Sequence, residues 1–279
     1  MSSIRPRLTV TLAILALCLL TGLTLRETTV SAQLASDTPM ALEIIALLNE
    51  WRIEANLAPL KPNDTLHALA LDQASYLSTL ADIPSGNAMH LGPGGEGVRE
   101  RALFPQYNWP TYGGLPAMAE VAYVGRPETA LEFWRNSAIH RDTITNVGVR
   151  EIGVAAVPHV WGHIFIVVLA SRPDVLPALV DPRSNSLYLT QDTWKFGVGN
   201  VPPMQVMLFD SAGRPLNNGA WIPWAQTIPL PADITGKVFV LYDDGSRLTL
   251  AEVDLIRDLV LLPGYIPVAT PSPVATQLP

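Results

Sequence analysis

The only cysteine in the chain, Cys18, lies inside an apolar run over residues 8–25, so no intrachain disulfide can hold the remainder together. Residues 33–279 must be stabilised by burial, which a chain that is 48% hydrophobic can supply. Any metal centre there must use nitrogen and oxygen donors, because thiolate ligands are absent.

The same run indicates where the chain goes. Arg5 and Arg7 precede it and the small residues Val30-Ser31-Ala32 follow it, so residues 1–32 read as a signal peptide cleaved before Gln33. The alternative is an uncleaved membrane anchor, because the run is about as long as the shortest membrane-spanning helices. Leu17 stands before Cys18, where a lipoprotein signal would place a small residue. Either way the remainder is expected to be extracellular or at the cell surface. The formal charge of the whole chain is −7; residues 1–32 contribute +2 from three arginines and one glutamate, leaving −9 for the rest. Nucleic acid is not expected as a partner, since phosphate binding requires clustered Lys and Arg.

From residue 38 the periodicity is helical. Thr38 is placed to cap a first helix with Pro39 in its first turn, and Leu42, Ile45, Leu48, Trp51 and Ala55 fall on one face. A second helix is predicted over 64–80, with Leu66, Leu69, Ala70, Ala74 and Leu77 as its apolar stripe. Residues 86–114 are rich in Gly, Pro and aromatics and predict a long irregular segment. Pro127 opens another helix through Ala130, Phe133 and Trp134, and β-type runs at 152–157 and 163–170 flank a turn at 158–162. After Arg172 the texture changes. Pro173 and Pro177 mark a linker over 173–180, and short β runs follow at 186–190, 205–209, 237–242 and 247–250. Asp243-Asp244-Gly245 joins the last two as a hairpin, so 181–262 is predicted to be a small all-β domain. Trp194, Trp221 and Trp224 could form a sugar-stacking platform, although buried or edge-filling aromatics are the simpler expectation. Residues 263–279 are rich in Pro, Thr and Ser and predict a disordered tail or wall spacer.

Two segments of the first region carry candidate chemistry. In Trp134-Arg135-Asn136-Ser137-Ala138-Ile139-His140-Arg141, Ser137 is positioned to cap a short helix beginning at Ala138, which places His140 in its first turn. A helix N-terminus disfavours protonation, so His140 is expected to stay neutral. The alternative is a packed histidine bonded to backbone. Glu120 lies in the apolar stretch Met118-Ala119-Glu120-Val121-Ala122, where an unpaired carboxylate would be costly. It needs imidazole partners or an arginine such as Arg141. Ser137 as a nucleophile with His140 as base is the weaker reading, since residues three apart across a helix start favour capping and no G-x-S-x-G elbow is present. His159 and His163 fall in a predicted hairpin turn and His67 beside a core stripe, so neither reads as a metal ligand. No phosphate-cradling glycine loop, dinucleotide fingerprint or zinc-finger spacing occurs.

Taken in order, these pieces resemble the CAP superfamily, the SCP-like family of cysteine-rich secretory, antigen 5 and pathogenesis-related proteins, in its bacterial form. The resemblance covers 38–172. It rests on Asn49 to Arg52, Leu57-Ala58-Pro59-Leu60, His90, Ala119-Glu120-Val121-Ala122, the W-x-x-S-x-x-H-R string and Glu151-Ile152-Gly153-Val154-Ala155. Asn56 stands where the family usually has glycine, and asparagine is the side chain that best tolerates a left-handed helix stop. Ser137 stands where many members have a second glutamate of a His-Glu-Glu-His tetrad.

The resemblance implies an α+β fold, a CAP-type α-β-α sandwich followed by the small all-β domain. It also implies a cleft formed by His90, Glu120, Ser137 and His140. Two imidazoles and one carboxylate are a donor set for Zn2+ or another divalent cation. His90 is the member that rests most on the resemblance, a surface loop histidine being its alternative. The function expected is an extracellular binding module for a small molecule, lipid or peptide. The alternatives are a metal-dependent hydrolase, in which His90, Glu120 and His140 would serve catalysis, and a structural cell-wall protein with a vestigial site.

Overall fold

The first helix, α1 (Thr38–Glu54), begins one residue earlier than the sequence predicts. Asp37 is the cap, its Oδ1 accepting from the Met40 amide at 3.2 Å, and Thr38 is already helical. In the computed structural model residues 36–111, 113–191 and 202–266 are described; the expected signal segment with Cys18, Trp194 and most of the tail lie outside them. α1 ends at a left-handed Asn56 (φ +56°). The Leu57 amide donates to Arg52 O and the Asn56 amide to Ile53 O, the paired bonds that close a helix around a left-handed residue. The buried set of α1 is wider than one stripe, taking in Ala41, Ile44, Ala46 and even Asn49 and Arg52, whereas Ala55 is exposed.

The wide burial reflects what α1 packs against. A four-stranded sheet in the order β1-β3-β4-β2 is built from β1 (Lys61–Pro62), β2 (Met118–Gly125), β3 (Glu151–His159) and β4 (Gly162–Ala170). β3 and β4 form a hairpin registered from Glu151↔Ala170 to His159↔Gly162, and β2 runs antiparallel to β4 with Glu120 opposite Val168. One face of the sheet meets α1, α4 (Pro127–Asn136) and α5 (Ala138–Ile144) through Ile44, Leu48, Trp134, Ile144, Val154 and Val167. The other meets α2 (Asp64–Ser78) and the irregular segment after it through Leu66, Leu69, Ala74, Leu77, Trp109 and Ile166. This is the α-β-α sandwich, and every residue of the predicted α2 stripe is in its core. α2 lies so close to β3 that a Cβ on Gly153 would sit 2.0 Å from the Leu66 carbonyl carbon.

Buried polar groups fasten the layers. Arg52, fully buried, donates to the carbonyls of Ala58, Ile144, Asn146 and Val149 at 2.6–3.4 Å. Burial lowers its pKa to about 9, so it remains a cation at neutral pH. Asn49 holds the Leu60 backbone through both its amide and its oxygen. Glu151 accepts two bonds from Arg172 at 2.6 and 2.8 Å and one from Asn63 at 2.9 Å. Asn49 and Arg52, which bound the first segment of the resemblance, therefore act in packing.

The C-terminal region is all-β. A sheet in the order β11-β10-β7-β8 and a second in the order β5-β6-β9 enclose a core of Leu187, Leu189, Val206, Val238, Val240, Tyr242 and Val253. β7 (Gln205–Phe209) matches the predicted run, and β10 (Lys237–Asp243) and β11 (Leu248–Asp254) form the predicted hairpin. The remaining strands are β5 (Ala178–Asp181), β6 (Ser186–Leu189), β8 (Ile222–Pro223) and β9 (Thr227–Pro229). Trp224 packs on this core with its indole N–H on Thr190 O at 3.1 Å, the structural use of that aromatic. The stretch 173–180 differs from a free linker: Leu176 is buried and Ala178 already begins β5. Contacts span the expected boundary. Leu261 enters the sandwich core, Asn49 Nδ2 donates to Leu261 O at 3.3 Å, Lys61 pairs with Asp258 at 2.7 Å, and Gln191 accepts from the Ala58 amide at 2.7 Å.

Candidate functional site

β2 lies at the edge of the sheet. Alternation along it points Val121 and Tyr123 toward the α1 layer, and Met118, Ala122 and Val124 toward the α2 layer; Glu120 falls in the second set. Its side chain is 1% exposed. A carboxylate so placed must be compensated, and two donors reach it from one irregular segment. His90 Nδ1 lies 2.9 Å from Oε1, and Arg101 Nη2 lies 2.6 Å from Oε2. The arginine expected as an alternative partner was Arg141. The structure supplies Arg101 instead, and Arg141 is on the exposed side of α5 near Asp142.

The irregular segment is held in register for this. His90 closes a 3-10 turn, Gly86–His90, and the buried Gln73 on α2 donates to the carbonyls of Met89 and Leu91 at 2.9 and 3.1 Å, clamping the backbone on both sides of His90. Arg101 ends the short α3 (Val98–Arg101). A Cβ on Gly92 would stand 3.0 Å from Arg101 Cδ, so a residue without a side chain permits the approach. Arg101 was not marked by any motif, and only its position in the fold identifies it. Its Nε and Nη1 are buried and make no hydrogen bond to a described residue, so Glu120 is the group that compensates its charge.

Ser137 is the residue between α4 and α5, and α5 begins at Ala138 as expected. Its hydroxyl does not cap the helix. It lies 2.7 Å from His140 Nδ1, so the expected capping relation is replaced by a serine–imidazole hydrogen bond. The His140 ring also packs on Phe133, centroids 5.1 Å apart, and Phe133 packs on Tyr123 at 5.3 Å. Its pKa is lowered, first by burial and then by the nearby His90. The neutral state anticipated from the helix terminus thus arises from desolvation and a neighbouring imidazole.

His90, Glu120, Ser137 and His140 are brought to one edge of the sheet as two linked pairs. An ionised carboxylate only accepts, so His90 Nδ1 carries a proton and its Nε2 lies outside the Glu120 bond; His140 likewise keeps Nε2 outside the Ser137 bond. Two clefts flank these residues without being lined by them. One of about 320 Å³ runs between Ala117–Ala119 and Asn146, Gly148, Val149 and Ser171. The other, about 510 Å³, shares Ala119, Asn146 and Val149 and continues to Ile139, Asp142 and Thr143 on α5. The donor set does not fit a three-ligand metal centre as arranged. Both oxygens of Glu120 are engaged, one by a guanidinium, and among the described residues no group of three His, Cys, Asp or Glu is disposed to hold an ion. His159 and His163 bracket the β3–β4 turn, and His67 bonds Val154 O at 2.7 Å as an interfacial residue.

Comparison with solved structures finds bacterial proteins to which part of this chain is similar. An outer surface protein from Borrelia burgdorferi is 21% identical with a TM-score of 0.39, the match covering 46% of this chain and 90% of that one. A cysteine-rich secretory protein from Staphylococcus aureus is 19% identical with a TM-score of 0.36, covering 48% and 39%. An extracellular protein containing an SCP domain from Bacillus anthracis is 17% identical with a TM-score of 0.39, covering 49% and 41%. No relative is found among curated proteins. The family model of the cysteine-rich secretory protein family, CAP, matches residues 45–169, the span from the middle of α1 to the end of β4. Over those residues the chain carries a CAP domain, the domain of the cysteine-rich secretory protein family.

Proposed function

We propose that this chain is a surface-exposed or secreted CAP-domain binding module whose site takes a small extracellular ligand at His90 and His140. The observation that carries the reading is the commitment of Glu120 to Arg101 and His90. A carboxylate fixed in that way orients an imidazole, with one oxygen turned to His90 and the other to the Arg101 guanidinium. The Nε2 atoms of His90 and His140, outside those bonds, then offer hydrogen-bonding points, and the groove beside α5 adds Ile139 and Val149 as apolar contacts among the polar Asp142, Thr143 and Asn146. A small lipid or peptide with one polar end fits this chemistry. The exported location rests on the signal-like residues 1–32. Metal-dependent hydrolysis is the less supported alternative, because it would place a cation on the carboxylate that already compensates the buried Arg101 guanidinium.

Zinc titration with imidazole-detected NMR on the purified chain tests this. The expected outcome is no stoichiometric zinc, with a lysophospholipid or an N-acetyl dipeptide amide shifting the His90 and His140 resonances together. Stoichiometric zinc that Glu120→Gln abolishes would replace the reading with a metal centre.

A further inference from the structure

The β3–β4 turn is only two residues long, and both are apolar and exposed: Val160 at 85% and Trp161 at 71%. Two-residue turns favour small polar residues, so a valine and a tryptophan displayed there are unexplained by the fold. The tip is braced. The His159 ring stands edge-on to Trp161 at 5.1 Å, and a Cβ on Gly162 would lie 2.3 Å from Gly125 O at the end of β2.

A second observation concerns where the chain enters the fold. The Asp37 amide donates to Ala156 O at 2.7 Å, and Ser36 Oγ accepts from the Ala156 amide at 3.1 Å. Asp37 Oδ2 pairs with His163 Nε2 at 3.2 Å, two residues beyond Trp161. The entering chain therefore lies along the tip half of the hairpin. The uncharged apolar run 8–25 precedes Ser36 by ten residues, 26–35, a tether of at most roughly 35 Å.

We propose that Val160 and Trp161 form a bilayer-docking tip, seating the CAP domain on the membrane that a retained N-terminal apolar segment spans. The proposal rests on the surface-tethered form of the reading above and is independent of the ligand site. Tryptophan is suited to the membrane interface because its ring is apolar and its N–H remains hydrated. Two side chains alone bind a bilayer weakly, and stable attachment takes a second anchor, which the N-terminal run provides. The tip then fixes the orientation of the domain at the bilayer, which one attachment point alone does not.

The test uses the full chain reconstituted in vesicles of phosphatidylcholine brominated at the upper acyl positions. Residues 1–35 contain no tryptophan, so quenching reports the folded part. Wild-type chain should show a quenched component of tryptophan emission that Trp161→Phe lacks, while both variants unfold at the same temperature. Equal quenching in the two proteins overturns the proposal. Shielding of Trp161 from aqueous acrylamide without lipid quenching also overturns it and points to a protein partner. Recovery of the exported chain starting at Gln33 and free of membrane removes the second anchor and overturns it as well. None of these outcomes bears on zinc or ligand shifts at His90 and His140, so the two readings fail separately.

Discussion

Glu120 and Arg101 face each other with side chains 1% and 6% exposed, and each is the other's charge compensation. Removing one charge from such a pair strands the other in a low-dielectric interior. Glu120→Gln is expected to destabilise the protein by about 3 to 5 kcal/mol in urea unfolding, with the loss reduced when Arg101→Met is added. A zinc ligand at the protein edge would show a far smaller cost. His140 makes a second prediction. Its folded pKa lies below the ordinary 6.5, so the folded state binds fewer protons than the unfolded chain. The associated stability is complete above pH 6.5 and falls away as pH drops from 6.5 through the folded pKa. An NMR titration should find His140 depressed. His90→Ala should raise it only part of the way, because burial is the larger cause.

Among elements, α4 and β2 decide whether the site edge exists. Trp134 on α4 is fully buried, and its indole donates to Ala122 O of β2 at 3.3 Å. Trp134→Ala should cost about 3 to 5 kcal/mol in denaturant unfolding and also loosen the Phe133–His140 contact, visible as broadened His140 resonances. Gly153 is the corresponding device on the opposite face. Its missing Cβ lets the α2 backbone rest on β3, so Gly153→Ala should cost about 3 kcal/mol, near the top of the usual range for overpacking. A cost under about 1 kcal/mol would mean that α2 can slide without penalty.

For the whole molecule, the question is whether residues 38–172 stand alone. Leu261 belongs to the sandwich core, and Asn49, Lys61 and Ala58 all bond to residues beyond 173. Truncation after Arg172 would empty the Leu261 position and leave half of the Asn49 amide without its acceptor. Full-length protein is therefore expected to unfold in one cooperative transition, and limited proteolysis should leave no stable fragment ending near Arg172. A surviving fragment of that size would show that the first region folds independently and that the β region is appended.

Local features were legible in the sequence because they depend on backbone conformation and periodicity within a few residues. The α2 stripe, the left-handed stop at Asn56, the hairpin at 243–245 and the start of α5 at Ala138 are of this kind. So was the absence of an intrachain disulfide, whereas His90 was singled out by the family resemblance and by no local pattern. What the tertiary structure alone decided was who pairs with whom. Arg101 reaches Glu120 across 19 residues and Asn49 reaches Leu261 across 212, and no periodic pattern encodes either distance. The apolar stretch around Glu120 carried no alternation strong enough to show that it is an edge strand. The hydroxyl of Ser137 had two acceptable partners, a helix terminus and an imidazole, and the packing of Phe133 against His140 accompanies the second. Charge compensation is settled by three-dimensional proximity in a low-dielectric interior, which is why the residue that makes Glu120 an orienting group is visible only in the folded chain.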